Sequence, residues 1–418
     1  MTKLVKISFR FLGGVLEWAL ILVIFLLFAI RSTKFQTYLG EQATSYLSKE
    51  LKTKIKVREV AILFFDKVAL DGVIVLDQKS DTLASFGSVY VTLNEFDNKR
   101  KYLDIKDANL TDGVVKLNRS KKDGEFNYQY LIDYFDTGDK KKSKPFKVDL
   151  RSIQLSQIDF QYDDYRRPKK SFGMDYAHLA FTNLNLKSNL SLHKTGGVSA
   201  TIKQISCQEK CGFQLNSFSS KLDFDSHGVR MKNVHIESPI SKIYFSKLNL
   251  KVEKLADFSE FVDQVEFDVD LRPSMVSLTD VSYFATVMEG MDQKIDINML
   301  INKRVKDLKI TDLDLKTGDR TKLKGTFNLP DFREFDQAFF NEKLEYAYLD
   351  FQDLEKIKLP VSSKERNLKL GTPVNRLAFV EVKDLRLDGF YSQFVLKSDR
   401  IKTQLGAIQM DNGVMFTE

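Results

Sequence analysis

The sequence predicts an all-β protein with an N-terminal transmembrane helix. The β part is expected to be an elongated, strongly curved antiparallel sheet that forms a groove and carries a few short helices. Three observations support this fold class. One apolar run near the N-terminus has the length of a membrane span, the residues beyond position 55 alternate apolar and polar side chains, and that alternation repeatedly shifts by one residue.

Charge is distributed unevenly along the 418 residues. Lys and Arg number 64 against 57 Asp and Glu, a net charge of +7. Residues 1–58 hold 10 basic and 3 acidic side chains, which leaves 54 of each sign in the remainder. Because the body has no excess of positive charge, it lacks the basic face that binding to nucleic-acid phosphates requires, and no nucleic-acid partner is expected.

The apolar run predicts a transmembrane helix over residues 11–31. Its 19 positions, 12–30, contain one charged residue, Glu17, and would make a helix of about 28 Å at ~1.5 Å per residue. Basic side chains within residues 1–10 place that tail in the cytoplasm and the body across the membrane, by the positive-inside rule. The candidate membrane-anchor residues are Leu12, Trp18, Leu20, Ile24, Phe28 and Ile30.

Residues 34–52 follow the anchor with the 3- and 4-residue apolar spacing of an amphipathic helix. Several lysines flank the apolar face. The helix could therefore lie on the membrane surface, with its lysines near the headgroups, or plug the end of the domain that follows. The sequence leaves both alternatives open.

The body, residues 55–418, is predicted to consist of roughly twenty strands of a largely antiparallel sheet. Residues 136–145 are charged and predict a mobile loop, and two short helices are expected near 278–288 and 352–358. The strands are separated by dipeptides and short segments typical of turns, such as Asp71-Gly72, Asp112-Gly113, Lys316 to Asp319, and Asn412-Gly413.

A step of three between apolar pairs recurs along the body. Ile153 and Leu155 are followed by Ile158 and Phe160, and the same spacing occurs three more times. In a straight strand this step would turn the second pair to the opposite face, so we expect a bulge or bend that keeps both pairs on one side. An ordinary β-sandwich core is the alternative. The other three sets are Val229, Met231, Val234, Ile236; Ile243, Phe245, Leu248, Leu250; and Leu308, Ile310, Leu313, Leu315.

No pattern of catalytic or metal-binding residues is present in the sequence, so we expect neither an enzyme nor a cofactor or metal. The two cysteines, Cys207 and Cys211, lie four positions apart. If the body is outside the cytoplasm, they could form a local disulfide. Two unrelated thiols are the equally weighted alternative.

Five stretches in order carry a family resemblance: residues 46–93 (beginning YLSKELKTKIKVREV), 103–135 (beginning LDIKDANLTDGVVKL), 212–252 (beginning GFQLNSFSSKLDF), 271–285 (LRPSMVSLTDVSYFA) and 305–332 (beginning VKDLKITDLDLKTGD). Together with the anchor they resemble the N-terminal region of AsmA-like, TamB-type proteins, particularly those of Bacteroidota. The resemblance covers most of the chain.

The resemblance implies a single-pass inner-membrane protein whose periplasmic β groove passes phospholipids toward the outer membrane. It also implies an alternative, a scaffold for outer-membrane protein assembly that works with a BamA/TamA-type barrel. The family's C-terminal region, which meets that barrel, has no counterpart before Glu418, so we expect a chain truncated at its C-terminus. Which lipid moves, and in which direction, is not encoded in any motif.

The alternating apolar positions are the candidate groove lining, because acyl chains require an apolar surface while headgroups stay in water. The candidates are Ile153, Leu155, Ile158, Phe160, Met231, Ile236, Phe245, Leu250, Ile310, Leu315 and Phe327.

The anchor is expected to be uncleaved. A signal peptide would need small residues at its cleavage site, whereas the run ends with Ala29-Ile30-Arg31. Sequencing the N-terminus of the mature protein tests this: we expect it to lie before the apolar run, and a mature chain that starts beyond Ser32 would contradict the anchor.

Overall fold

The computed structural model describes Ser45, Ser48 and residues 53–64, 66–97, 99–100, 102–135, 147–192, 197–329, 339–369, 377–390 and 393–417. The predicted cytoplasmic tail, transmembrane helix and loop 136–145 lie outside the described residues. So does the predicted amphipathic helix, apart from Ser45 and Ser48, which are helical.

The described part of the chain is mostly β structure. Twenty strands belong to one hydrogen-bonded sheet, which a few short helices accompany, as the sequence predicted. Within the described ranges no helix has the length and apolar character needed to cross a membrane. The chain divides into two compact units, residues 1–218 and 219–418.

From residue 53 onward, the described residues of the first unit form nine strands and one helix, α1 (Gln129–Phe135), and the unit boundary falls inside a tenth strand. The strands are β1 (Ile55–Lys56), β2 (Glu59–Phe64), β3 (Lys67–Leu76), β4 (Thr82–Asp97), β5 (Tyr102–Arg119), β6 (Lys147–Leu150), β7 (Ser152–Asp164), β8 (His178–Leu192), β9 (Val198–Glu209) and the boundary strand β10 (Gln214–Asp225).

One parallel connection interrupts the antiparallel order of the first unit. Strand β3 pairs antiparallel with β1, β2 and β4, and β4 with β5. Both β6 and β7 then run parallel to β5, and antiparallel pairing resumes from β7 to β8 and from β8 to β9. Because a parallel pair requires a crossover connection, the segment that contains α1 lies between β5 and β6.

A closed hydrophobic core fills the first unit. Leu103 and Ile105 on β5 are fully buried, and Leu131 of α1 and the neighbouring Tyr128 belong to the same cluster as the strand residues. The helix therefore packs on the sheet, as a sheet with one apolar face requires of its partner layer.

The second unit continues with strands that each pair antiparallel with the next. They are β11 (Gly228–Glu237), β12 (Lys242–Lys251), β13 (Glu266–Ser277), β14 (Lys294–Arg304), β15 (Leu308–Thr317), β16 (Thr321–Leu329), β17 (Phe339–Asp350), β18 (Phe379–Phe390), β19 (Gln393–Thr403) and β20 (Gly406–Thr417).

Short helices connect some of these strands: α2 (Phe261–Gln264), α3 (Leu278–Phe284) and α4 (Phe351–Glu355), with 3-10 turns at Leu255–Glu260, Thr286–Met288 and Val305–Asp307. The two helices predicted from the sequence are confirmed. Helix α3 and the 3-10 turn after it span the predicted helix at 278–288. Helix α4 lies at the predicted helix 352–358 but ends three residues earlier than expected.

Single residues in the left-handed backbone region lie inside several strands, and we call them corner residues. The φ angle is +56° at Gln157 in β7, +51° at Asn233 in β11 and +52° at Asp312 in β15. Each lies inside one of the predicted steps of three. A residue in this conformation takes up the extra position of a bulge, so the apolar pairs on both sides return to the same face.

The fourth predicted step lies in β12, where the pairing with β13 shifts register between Phe245 and Lys247. All four predicted irregularities are therefore confirmed. In the pairing of β11 with β12, Asn233 lies opposite Ser246, because Lys232 pairs with Lys247 and Val234 with Phe245. In this strand pair the two irregular steps thus coincide, and the register on either side of them is the same.

Most of the predicted turn dipeptides are wrong as turns. Asp71-Gly72 lies inside β3, Asp112-Gly113 inside β5 and Asn412-Gly413 inside β20, whereas Lys316 to Asp319 does connect β15 to β16. Gly72 has φ +62° and Asp112 φ +51°. Asp, Asn and Gly tolerate positive φ in a bulge as readily as in a turn, so the residue type alone does not distinguish the two.

A buried aspartate of α4 holds the hairpin turn between β15 and β16. The Asp353 carboxylate accepts hydrogen bonds from the backbone N–H groups of Asp319 (2.9 Å), Arg320 (2.8 Å) and Thr321 (3.0 Å). Burial acts to raise the pKa of Asp353, but these hydrogen bonds outweigh it and hold the pKa below its usual value.

Helix α3 repeats this arrangement on the turn between β11 and β12. The Asp280 carboxylate, also at the third helical position, accepts hydrogen bonds from the hydroxyls of Ser238 and Ser241. In both cases a carboxylate on the short helix that follows one strand binds the turn of the preceding hairpin. Asp280, after β13, binds the β11–β12 turn, and Asp353, after β17, binds the β15–β16 turn.

The corner residue Asn233 is expected to matter through its backbone, since its side chain is exposed. Replacing Asn233→Val should lower the free energy of unfolding by about 1–2 kcal/mol, because a β-branched residue resists positive φ, and Asn233→Gly should be close to neutral. Urea unfolding measures the difference. Lys232→Val, one residue earlier and exposed, is the control; equal effects of the two valines would contradict the corner.

Asp353 should make stability pH-dependent. Because its folded-state pKa lies below the unfolded value of about 3.9, its contribution is complete above that pH and is lost as the pH falls through the folded-state pKa. Asp353→Asn should cost roughly 1–3 kcal/mol at pH 7 and flatten the acid limb of a urea-unfolding series. Asp319→Asn, at an exposed carboxylate, should change little; an unaltered profile for Asp353→Asn would contradict the assignment.

Candidate functional site

Two continuous rows of apolar side chains cross the sheet of the second unit, and we call the surface they form the apolar face. The pairing registers place the members of each row side by side on successive strands. One row comprises Met231, Leu248, Val269, Ile301, Ile310 and Phe327. The other comprises Ile297, Leu315, Leu323, Ala347, Val382 and Ile401.

The corner residues explain why two rows exist on one face. Ile310 precedes and Leu315 follows the corner at Asp312, and they belong to different rows. Without the extra residue, the second row would face the opposite side of the sheet. On β15 the corner thus keeps the members of both rows on the apolar face.

Charged side chains alternate with the apolar ones and form ion pairs across neighbouring strands. Lys247 on β12 pairs with Asp268 on β13, and Lys251 pairs with both Asp268 (3.5 Å) and Glu266 (3.3 Å). Each exposed pair contributes little to stability, about 0–1 kcal/mol. Their alternation with the apolar rows nevertheless gives this unit one charged face and one apolar face.

Exposure distinguishes the apolar face from the core of the first unit. Phe245, Ile310 and Phe327 are half-buried, as are most members of the two rows. Ile153 and Ile158 in the first unit are each only 2% exposed. Strands β3 to β7 of the first unit thus bury much of their apolar side with the unit's own residues, whereas the second unit leaves part of its apolar side accessible.

The predicted groove-lining residues fall into two groups. Ile158 belongs to the buried cluster of the first unit, Leu155 and Phe160 pack against it, and Ile153 is buried. The other group lies in the second unit and is half-buried: Met231, Ile236, Phe245, Leu250, Ile310, Leu315 and Phe327. Lipid contact stays a prediction for both groups, and the second has the exposure that such contact requires.

One carboxylate interrupts the apolar face. Glu342 on β17 pairs with Leu387 on β18, and its Oε2 accepts a hydrogen bond from the backbone N–H of Asn328 at 2.8 Å. Its Oε1 is buried without a hydrogen-bond partner. Burial raises the pKa of Glu342, and the bond from Asn328 acts in the opposite direction. The sequence analysis missed this residue, although Phe340, Glu342 and Leu344 alternate as a signal.

Cys207 lies on β9 and Cys211 in the turn that follows; both are free thiols in the structure. Burial and the neighbouring Glu209 carboxylate raise the pKa of both, that of Cys211 to about 11. Such thiols are weak nucleophiles at neutral pH. The disulfide between them stays a prediction.

The described residues contain no group of three or more His, Cys, Asp or Glu that could hold a metal ion. A cavity of about 390 Å³ lies near the turn that Asp353 holds, lined mainly by polar side chains that include Gln293 and Lys316. It contains none of the residues predicted from the sequence.

Comparison with known proteins adds no further assignment: no family model and no curated protein matches this chain.

Proposed function

We propose that the chain is an inner-membrane-anchored periplasmic module that binds phospholipid acyl chains on the apolar face of the second unit and passes them along it toward the outer membrane. The observation that carries the proposal is the pair of continuous, half-buried apolar rows on one side of an otherwise charged sheet. The TamB-type resemblance of the sequence agrees with it.

The apolar face favours an apolar occupant. Half-buried apolar side chains gain roughly 25 cal/mol for each Å² removed from water, without regard to direction. An acyl chain satisfies this without polar contacts. Within each row, successive strands contribute apolar side chains at neighbouring positions, so an acyl chain can pass from one strand to the next without breaking polar contacts, which suits movement.

The alternative, a scaffold for outer-membrane protein assembly with a BamA/TamA-type barrel, makes a different demand. It requires contact with extended protein segments through backbone hydrogen bonds at a strand edge, and it tolerates polar substitutions on the apolar face. Photo-crosslinking separates the two functions, because phospholipid adducts are expected for the first and outer-membrane protein adducts for the second.

Photo-crosslinking in cells tests the proposal. A photoreactive residue at Phe245 or Phe327 should yield phospholipid adducts, because both side chains are half-buried on the apolar face. At Lys242 or Lys324, which are exposed and face the other side, adducts should be several-fold fewer. Mass spectrometry of the purified adducts provides the measurement.

A probe at Phe160 is an internal comparison, because that side chain packs against the core of the first unit. Probes at Gln154 and Asp159, which are exposed on the same strand, are the outward-facing controls. We expect fewer lipid adducts at Phe160 than at Phe327. Absence of lipid at both probes of the second unit, together with capture of outer-membrane proteins, would overturn the lipid function in favour of the scaffold.

A further inference from the structure

We infer that Glu342 is a recognition site for a positively charged N–H donor on the bound lipid, such as the primary ammonium of a phospholipid headgroup. This inference rests on the proposed function and adds a chemical selectivity to it. Its basis is the unpartnered Oε1 of this carboxylate on a face that is otherwise apolar.

Within the part of the chain that the structure describes, the protein forms a hydrogen bond to only one of the two carboxylate oxygens of Glu342. The Asn328 backbone N–H holds Oε2, and the Asn328 side chain donates to the Asn341 carbonyl at 2.7 Å, so the strand pair is tied locally. That bonding fixes the carboxylate and leaves Oε1 free to accept. A buried acceptor without a partner costs about 1–3 kcal/mol, which a donor from a ligand would recover.

The charge of Glu342 is not compensated by a neighbouring cation among the described residues. Among the described residues, none forms an ion pair with Glu342. Asp314 offers the contrast: one of its oxygens is also unpartnered, but the other binds the Lys324 ammonium at 2.8 Å, so its charge is compensated. An uncompensated carboxylate in a partly apolar environment favours a cation, and an N–H donor satisfies both the charge and the free oxygen.

Glu342 lies near one end of β17, which leaves most of the strand on one side of it. Glu342 lies three residues from the start of β17, and Asp350 ends the strand eight residues later, about 27 Å if extended at ~3.4 Å per residue. One leaflet contributes about half of a ~30 Å hydrocarbon core. A headgroup at Glu342 therefore leaves enough apolar strand for its acyl chains on the side of Leu344, Ala347 and Leu349.

Competitive lipid loading of the purified full chain tests the inference. The detergent-solubilised protein is incubated with equal amounts of phosphatidylethanolamine, phosphatidylcholine and phosphatidylglycerol of identical acyl chains, and the bound lipids are counted by native mass spectrometry. We expect phosphatidylethanolamine to be enriched over both others, since choline has no N–H donor and glycerol no positive charge. Glu342→Gln should reduce that enrichment about tenfold while the total bound lipid stays the same.

Glu345→Gln is the matched control, because it makes the same substitution at an exposed position of the same strand. It should leave the enrichment unchanged. If the wild-type protein binds lipid without preference, or if Glu342→Gln keeps the preference, the inference is wrong and the proposed function stands. If the wild-type protein binds no lipid, the proposed function itself fails.

Discussion

Left-handed corner residues inside several strands determine how the apolar side chains of this sheet are arranged. A strand normally alternates faces at every residue, so a long strand with evenly spaced apolar positions fills one flat face. Here a residue with φ near +50°, such as Asn233 or Asp312, adds one position and restores the same facing beyond it. Where the irregular steps of neighbouring strands coincide, as in β11 and β12, the apolar pairs on both sides stay side by side, and the charged residues collect on the other face.

The same pattern serves two purposes in the two units. In the first, Leu131 of α1 and the neighbouring Tyr128 belong to the core cluster, and Ile158 and its neighbours become part of that closed core. In the second, the described helices are only four to seven residues long, and α3 and α4 carry aspartates that tie hairpin turns. The apolar face there stays half-buried. A protein keeps such a surface when a ligand or partner covers it, since large exposed apolar patches otherwise favour aggregation.

Periodicity was enough to predict the strands, their approximate number and all four irregular steps, because side-chain facing is a local property of the backbone. It was not enough to tell a turn from a corner at Asp112-Gly113, since the same residue types accept positive φ in both. Nor could it show that Ile153 and Phe160 lie in or against a core while Phe245 and Phe327 do not. What covers a face depends on long-range packing, which an alternating pattern does not encode. Glu342 was missed for a related reason: a charge at an apolar position is informative only once its partners are known.

Counting the phospholipid that co-purifies with the chain tests lipid binding at the apolar face. Ile301→Asn and Ile310→Asn, placed together, interrupt one row where two half-buried side chains are direct cross-strand neighbours. The paired change Asn302→Ser and Lys309→Asn alters the same strand pair on the opposite face. With folding verified by resistance to proteolysis, we expect the first variant to lose most of the bound phospholipid and the second to retain it. Equal lipid content in both variants, or a wild-type protein that carries no phospholipid, would contradict the claim that this face binds lipid.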